Sequence, residues 1–193
     1  LLLVIFNKIF IYSATFYSTF VWPFNMVLLG FVSIGIFHEK KGYLNWFKNL
    51  LFFLVVAVPV FPSYFFQNHF ITILALLSYM GFYTIIFTEV MRQIIQKDVI
   101  STSIIMATLS GFLLILIVSS FSFLLMNQID VHSFNNIQGT TIPEKYHQIV
   151  YFSSITLTTI GYGDITPATD NARLLAAFWG IIGQFYMVAV VGI

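Results

Sequence analysis

The chain has no cysteine among its 193 residues, so neither a disulfide framework nor a thiolate metal site can form, and the redox compartment is left open. Charge is also scarce: 8% of residues are Asp, Glu, Lys or Arg, against roughly 25% in soluble domains. The eight Lys and Arg are scattered and the net charge is +1, which excludes the clustered basic surface that a nucleic-acid partner requires. The sequence brings together no paired carboxylates, no nucleophile with a base and no metal-ligating cluster, so it offers no enzyme chemistry and calls for no cofactor. What fills the chain is apolar: 59% hydrophobic residues and 23 phenylalanines, with a mean hydropathy of +0.94. This is a membrane composition, and lipid is its first expected partner.

A helix needs about twenty apolar residues to cross roughly 30 Å of hydrocarbon. Residues 15–37, 44–61, 70–91, 99–127 and 172–193 qualify. A competing reading splits residues 1–37 at Pro23 into two short helices. Lys40, Lys41 and Lys48 flank one loop and Arg92 and Lys97 another, which places both on the cytoplasmic side, while FPSYFFQNH between them carries no Lys or Arg and reads as outside. Counting crossings puts 128–171 outside as well. The opening Leu1 suggests a processed or truncated chain, and LLLVIF reads as the stump of a further span, six in all; the apolar segments read as spans rather than a cleaved leader. The span 70–91 contains no Lys or Arg, so strong voltage dependence is not expected, because each charge moved gains only about 2.3 kcal/mol per 100 mV.

Within the last outside segment stands TTIGYGD, 158–164, preceded by YHQIVYFSSITLT, 146–158, which is long enough for about three helical turns and too short to cross. Irregular backbone at membrane depth is tolerated only where protein or water surrounds it. The expectation is a re-entrant loop lining a wet cavity. Gly161 and Gly163 can adopt the positive φ that, alternating with Ile160 and Tyr162, turns successive carbonyls to one side. One chain supplies one row of oxygens, so a ring around a cation needs several copies about an axis. The short helix aims its partly negative C-terminus at the cavity below, which favours a cation there.

TTIGYGD resembles the selectivity filter of potassium channels, and the likeness covers roughly 99–193: outer helix, turret (NQIDVHSFNNIQGTTIPEK), pore helix 146–158, filter 159–164 and inner helix 172–193. Residues 1–98 are similar to the six-span bacterial members only in span count and topology, without a charged sensor. The resemblance implies an all-α membrane protein of helical spans with a re-entrant pore helix, assembled as a homotetramer in the plasma membrane and passing K+ passively. It implies K+ ligation by the carbonyls of Thr159, Ile160, Gly161 and Tyr162, with the Thr159 hydroxyl closing the innermost site and Gly163 shaping the outer mouth. Tyr151 and Phe152 stand where the family often has paired tryptophans bracing Tyr162. Thr158 reads as a pore-helix hydrogen bonder and Asp164 as a stabiliser of the mouth. Ile155 stands where some relatives have a glutamate that pairs with that carboxylate, so Asp164 is expected to lack that glutamate partner. Gly183 matches the gating hinge and Gly180 adds a second weak point, with plain helix packing the alternative for both. Gln184, Met187 and Val191, at i, i+3 and i+7, would share the cavity face, though Gln184 could instead bond a neighbouring helix. His69, His132 and His147 read as isolated groups near the outside surface. The rival functions are a poorly selective cation channel and a non-conducting assembly or receptor subunit.

Overall fold

The computed structural model describes residues 1–34, 53, 55, 68–95 and 102–191. The described chain is helical with one two-stranded antiparallel pair. In order come α1 (Leu2–Phe6), α2 (Ala14–Phe16), α3 (Trp22–Ile34), α4 (His69–Ile95), α5 (Thr102–Ile129), β1 (Phe134–Asn135), α6 (Ile142–Leu157), β2 (Thr166–Pro167) and α7 (Asp170–Tyr186). Three helices among the described residues, within α4, α5 and the region Asp170–Ala189, are long and apolar enough to cross a membrane. The expected span 44–61 lies outside the described residues except at Phe53 and Val55.

Pro23 does not split the first segment. A π-turn, Tyr17–Val21, joins α2 to α3 immediately before it. Proline has no N–H to give its preceding turn, and its ring crowds the carbonyl there; a locally widened turn absorbs both effects without ending the helix.

The 28 residues of α5 extend about 42 Å. It is apolar on every side and is accordingly the central element: Leu113 to Val118 are all buried, and Phe121, Phe123 and Leu124 are fully so. On one flank lies α4, whose Thr72, Ala75, Leu76, Tyr79, Tyr83, Ile86 and Val90 form a buried stripe at helical spacing. The shorter α6 and then α7 pack on its other sides.

With 16 residues, α6 is about 24 Å long and does not cross. It starts four residues before the expected 146. Thr141 and Glu144 form a reciprocal capping box, and Pro143 occupies the first turn, where its missing N–H costs nothing. The inner helix likewise begins at Asp170 rather than 172, because the Thr169 hydroxyl accepts the Ala172 N–H. Its α-helical part stops at Tyr186 and continues as a π-turn over Met187–Val191.

Candidate ion-conduction site

The site is the turn between α6 and β2. At its entry, the Thr158 hydroxyl donates to the Ser154 carbonyl at 2.7 Å, as those of Ser154 and Thr156 do to the carbonyls four residues before them. Beyond it φ is positive at Thr159 (59°), Gly161 (57°) and Gly163 (80°). The positive φ expected of the glycines therefore begins two residues before Gly161, on a threonine. A non-glycine residue in the left-handed region is strained by roughly 1–2 kcal/mol. Thr159 is held there because its N–H reaches the Thr156 carbonyl (3.1 Å), while the N–H groups of Ile160 and Gly161 both reach the Ile155 carbonyl (2.9 and 3.2 Å).

Three successive amides are thus turned back onto the helix terminus. Among the described residues, no donor reaches the carbonyls of Thr159, Ile160, Gly161 or Tyr162. Ile160 and Tyr162 are 54% and 71% exposed in the single chain. The Thr159 hydroxyl donates its hydrogen to the Thr158 carbonyl at 2.7 Å, which leaves its oxygen lone pairs free to accept a cation.

The mouth above is fastened from three directions. Asn136, itself at φ 64°, donates from Nδ2 to the Asp164 carbonyl at 2.8 Å. The pairing of Phe134 with Pro167 and Asn135 with Thr166 fixes the stretch after α5 to the segment that follows Asp164, and the Ala168 N–H reaches the Ser133 carbonyl at 2.8 Å. The third fastening is at Asp164, whose carboxylate the Tyr151 phenol holds below the usual carboxylate range by a hydrogen bond, with help from the Ile165 N–H. Ile155 cannot supply that bond, but Tyr151, one helical turn earlier on α6, can reach the same carboxylate.

The two aromatic residues expected to brace Tyr162 part company. Tyr151 faces the mouth, whereas Phe152 is 4% exposed and makes edge contacts with Phe123 and Phe134, at 5.0 and 5.3 Å between centroids. Adjacent residues on a helix point about 100° apart, so one is turned toward Asp164 and the other toward α5.

Behind the turn, α7 leans on the end of α6 at Gly183. A methyl group there would sit 2.7 Å from the Leu157 carbonyl oxygen and 3.0 Å from its Cα, so close approach demands glycine at this position. Gly180 is roomier, with the Thr156 carbonyl at 4.0 Å. Gln184 and Met187 are exposed in the single chain. Val191 closes the π-turn Met187–Val191.

Several long-range contacts carry no signal in the linear pattern of residues. Trp179 Nε1 donates to Ser122 Oγ at 2.7 Å, and the Tyr186 hydroxyl donates to the Thr108 carbonyl at 2.6 Å, sitting where a side chain on Gly111 would be. These contacts join α7 to α5. The T-x-x-E signature at 141–144, by contrast, was available as a capping box. Of the histidines, His69 and His132 are exposed and His147 is half-buried, its ring edge-on to Tyr17.

Residues 110–193 match a family described as ion channel. The chain is 40% identical over 96 residues, 48% of its length, to the potassium voltage-gated channel subfamily KQT member 3 of Rattus norvegicus, of which it covers 11%. It is 28% identical over 182 residues, 90% of its length, to potassium channel K2 of Plasmodium berghei, covering 12% of that protein. With two pore potassium channel b of Oryza sativa it shares 51% identity over 43 residues, 22% of this chain and 11% of the relative. The chain thus spans about a tenth of the length of these relatives. No solved structure matches it. All these likenesses are to channels and none is to an enzyme.

Proposed function

We propose, from the premise that this chain is a helical channel protein resembling the potassium-channel pore family, that it conducts K+ selectively down its gradient through a central pore made by four copies. The observation carrying this reading is the run of four carbonyls, Thr159 to Tyr162, that receive no hydrogen bond among the described residues while φ alternates in sign along them. Bare carbonyls in water-poor surroundings are costly, and a dehydrated cation is a partner that repays them. Thr159 closes the inner end with its hydroxyl lone pairs, Gly163 opens the outer mouth, and Thr158, Tyr151 and Asp164 hold the segment in place. Phe152 steadies the pore helix from behind, against the outer helix.

The face of the inner helix supports assembly. Its membrane window is only 17% buried, and Leu174, Phe178, Ile181, Phe185 and Val188 stand more than half exposed. Part of that surface faces lipid and part meets copies of itself, with Gln184 and Met187 toward the cavity. Residues 1–98 form the peripheral helices and 99–193 the pore module, in a multi-pass plasma-membrane protein. K+ is the permeant ion and no cofactor is required.

The test is flux from liposomes loaded with potassium and diluted into sodium or potassium, for the parent and Gly161→Ala. Potassium flux, little sodium flux and loss in the variant are the expected outcome. Equal flux of both ions would identify a poorly selective channel, and silence in the parent would support the assembly-subunit role.

A further inference from the structure

A cavity of about 210 Å³ lies among α4, α5 and α7, lined by Thr84 of α4, Ile115 and Val118 of α5, and Phe178, Trp179 and Ile182 of α7. Close-packed interiors hold few voids larger than a water molecule, so something keeps these helices apart. Two hydrogen bonds do: Trp179 Nε1 to Ser122 Oγ, and the Tyr186 hydroxyl to the Thr108 carbonyl. Ile115 and Val118 fall between Thr108 and Ser122 on α5, and Ile182 falls between Trp179 and Tyr186 on α7. The two bonds fix the helix spacing, and the aliphatic side chains between them do not fill it.

The walls suit hydrocarbon rather than water. The Thr84 hydroxyl donates its hydrogen to the Met80 carbonyl at 2.7 Å and the Trp179 N–H goes to Ser122, which leaves the lining side chains one acceptor oxygen where a water needs two or more polar partners. An apolar cavity of roughly 150 Å³ already stays dry and admits a benzene-sized guest. The lining residues stand near mid-length of the three helices that are long and apolar enough to cross a membrane, and the exposed Thr84 and Phe178 mark the open side. On α7, Ile182 lies about 200° round the helix from Gln184, so the opening turns away from the axis that Gln184 is proposed to face, the one step here that rests on the conduction reading. What meets the opening is bilayer hydrocarbon.

We propose that the cavity is a lipid site, in which the end of one bilayer acyl chain enters between Thr84 and Phe178 and packs on Ile115 and Val118. Occupied in this way, α4 and the inner helix are packed on each other through lipid.

Photolabelling tests it, with the intact protein in nanodiscs containing a phosphatidylcholine that carries a diazirine in mid-chain, because the carbene inserts into whatever side chain the acyl chain touches. Leu77, 44% exposed and two turns before Thr84 on α4, is the lipid-facing reference. Ile115 and Val118 are 3% and 7% exposed, so a chain reaches them only through the cavity. Adducts mapped by mass spectrometry are expected at both, at no less than a tenth of the Leu77 level; fewer would overturn the site. A side chain of a second copy seated in the cavity would also leave them unlabelled, and p-benzoylphenylalanine in place of Ile182 would then join two copies. Thr84→Phe at the opening and, separately, Val118→Phe on the floor are each expected to cut Ile115 labelling by about tenfold and leave Leu77 unchanged. Undiminished Ile115 labelling in either variant, at parental melting temperature, would overturn the route. Labelling is blind to ion flux, so its failure leaves the conduction reading untouched.

Discussion

Gly183 and Gly180 lie one helical turn apart and face different neighbours. A methyl at 183 meets backbone at 2.7 Å, and backbone cannot rotate out of the way. Gly183→Ala is therefore expected to destabilise the protein by about 1–3 kcal/mol, read as a lowered melting temperature in detergent. Gly180→Ala meets nothing closer than 4.0 Å and should be neutral or stabilising by up to about 1 kcal/mol through helix propensity. Equal melting of the two variants would return Gly183 to the role of a simple hinge. At Asp164 the pH dependence follows from direction alone. Its carboxyl is held low, chiefly by the Tyr151 phenol, so the anchoring is fully present above the unfolded value of about 3.9 and is lost as pH falls through the lower folded value. The carboxyl carbon of Asp164, followed by NMR, is expected to titrate below that of a free aspartate, and Tyr151→Phe to move its midpoint upward. A midpoint unmoved in the variant would transfer the effect to the Ile165 N–H.

At the scale of elements, the inner helix is pinned to the outer one by two hydrogen bonds about two turns apart. Trp179 reaches Ser122, and Tyr186 reaches the Thr108 carbonyl in the space left by Gly111. Tyr186→Phe keeps the ring among Phe87 and Phe112 and removes only the pin, which is worth roughly 1 kcal/mol. Gly111→Ala displaces the ring itself and is expected to cost more. Thermal melting of the two variants orders them, and the reverse order would mean that the hydroxyl, rather than the packing, carries the contact. The short pore helix depends on its N-terminus in the same way. Glu144 accepts from the N–H groups of Thr140 and Thr141 at 2.9 and 3.2 Å, and these bonds hold its carboxyl below the usual range. Thr141→Ala is expected to lose about 1 kcal/mol of stability, measured by denaturant or heat.

For the whole molecule, the unburied inner-helix face calls for company. Native mass spectrometry from nanodiscs is expected to show four copies of the 22.1 kDa chain; a monomer that nevertheless conducts would sink the ring of carbonyls, because one row of oxygens cannot enclose an ion. The helix α4 carries no Lys or Arg before Arg92 at its last turn. Currents from the reconstituted protein are accordingly expected to change little with voltage, and a many-fold voltage-steepened conductance would place gating charge in a span other than α4.

The membrane class, the long spans of α4 and α5 and the left-handed backbone at Gly161 and Gly163 were legible in the sequence, because hydropathy is a sum over consecutive residues and glycine's freedom at φ belongs to the residue itself. TTIGYGD announced its conformation through Gly161 and Gly163. The left-handed Thr159 was not legible, because it is imposed by carbonyls of the preceding helix. The partner of Asp164, the turn of Phe152 toward Phe123 and Phe134, the clasp of Asn136, and the stacking of Tyr79 and Tyr83 on Phe121 were decided by tertiary structure alone. Each joins groups whose separation along the chain, from 13 to more than 40 residues, carries no periodic signal; only the packing of α4, α6 and α7 around α5 brings them within reach.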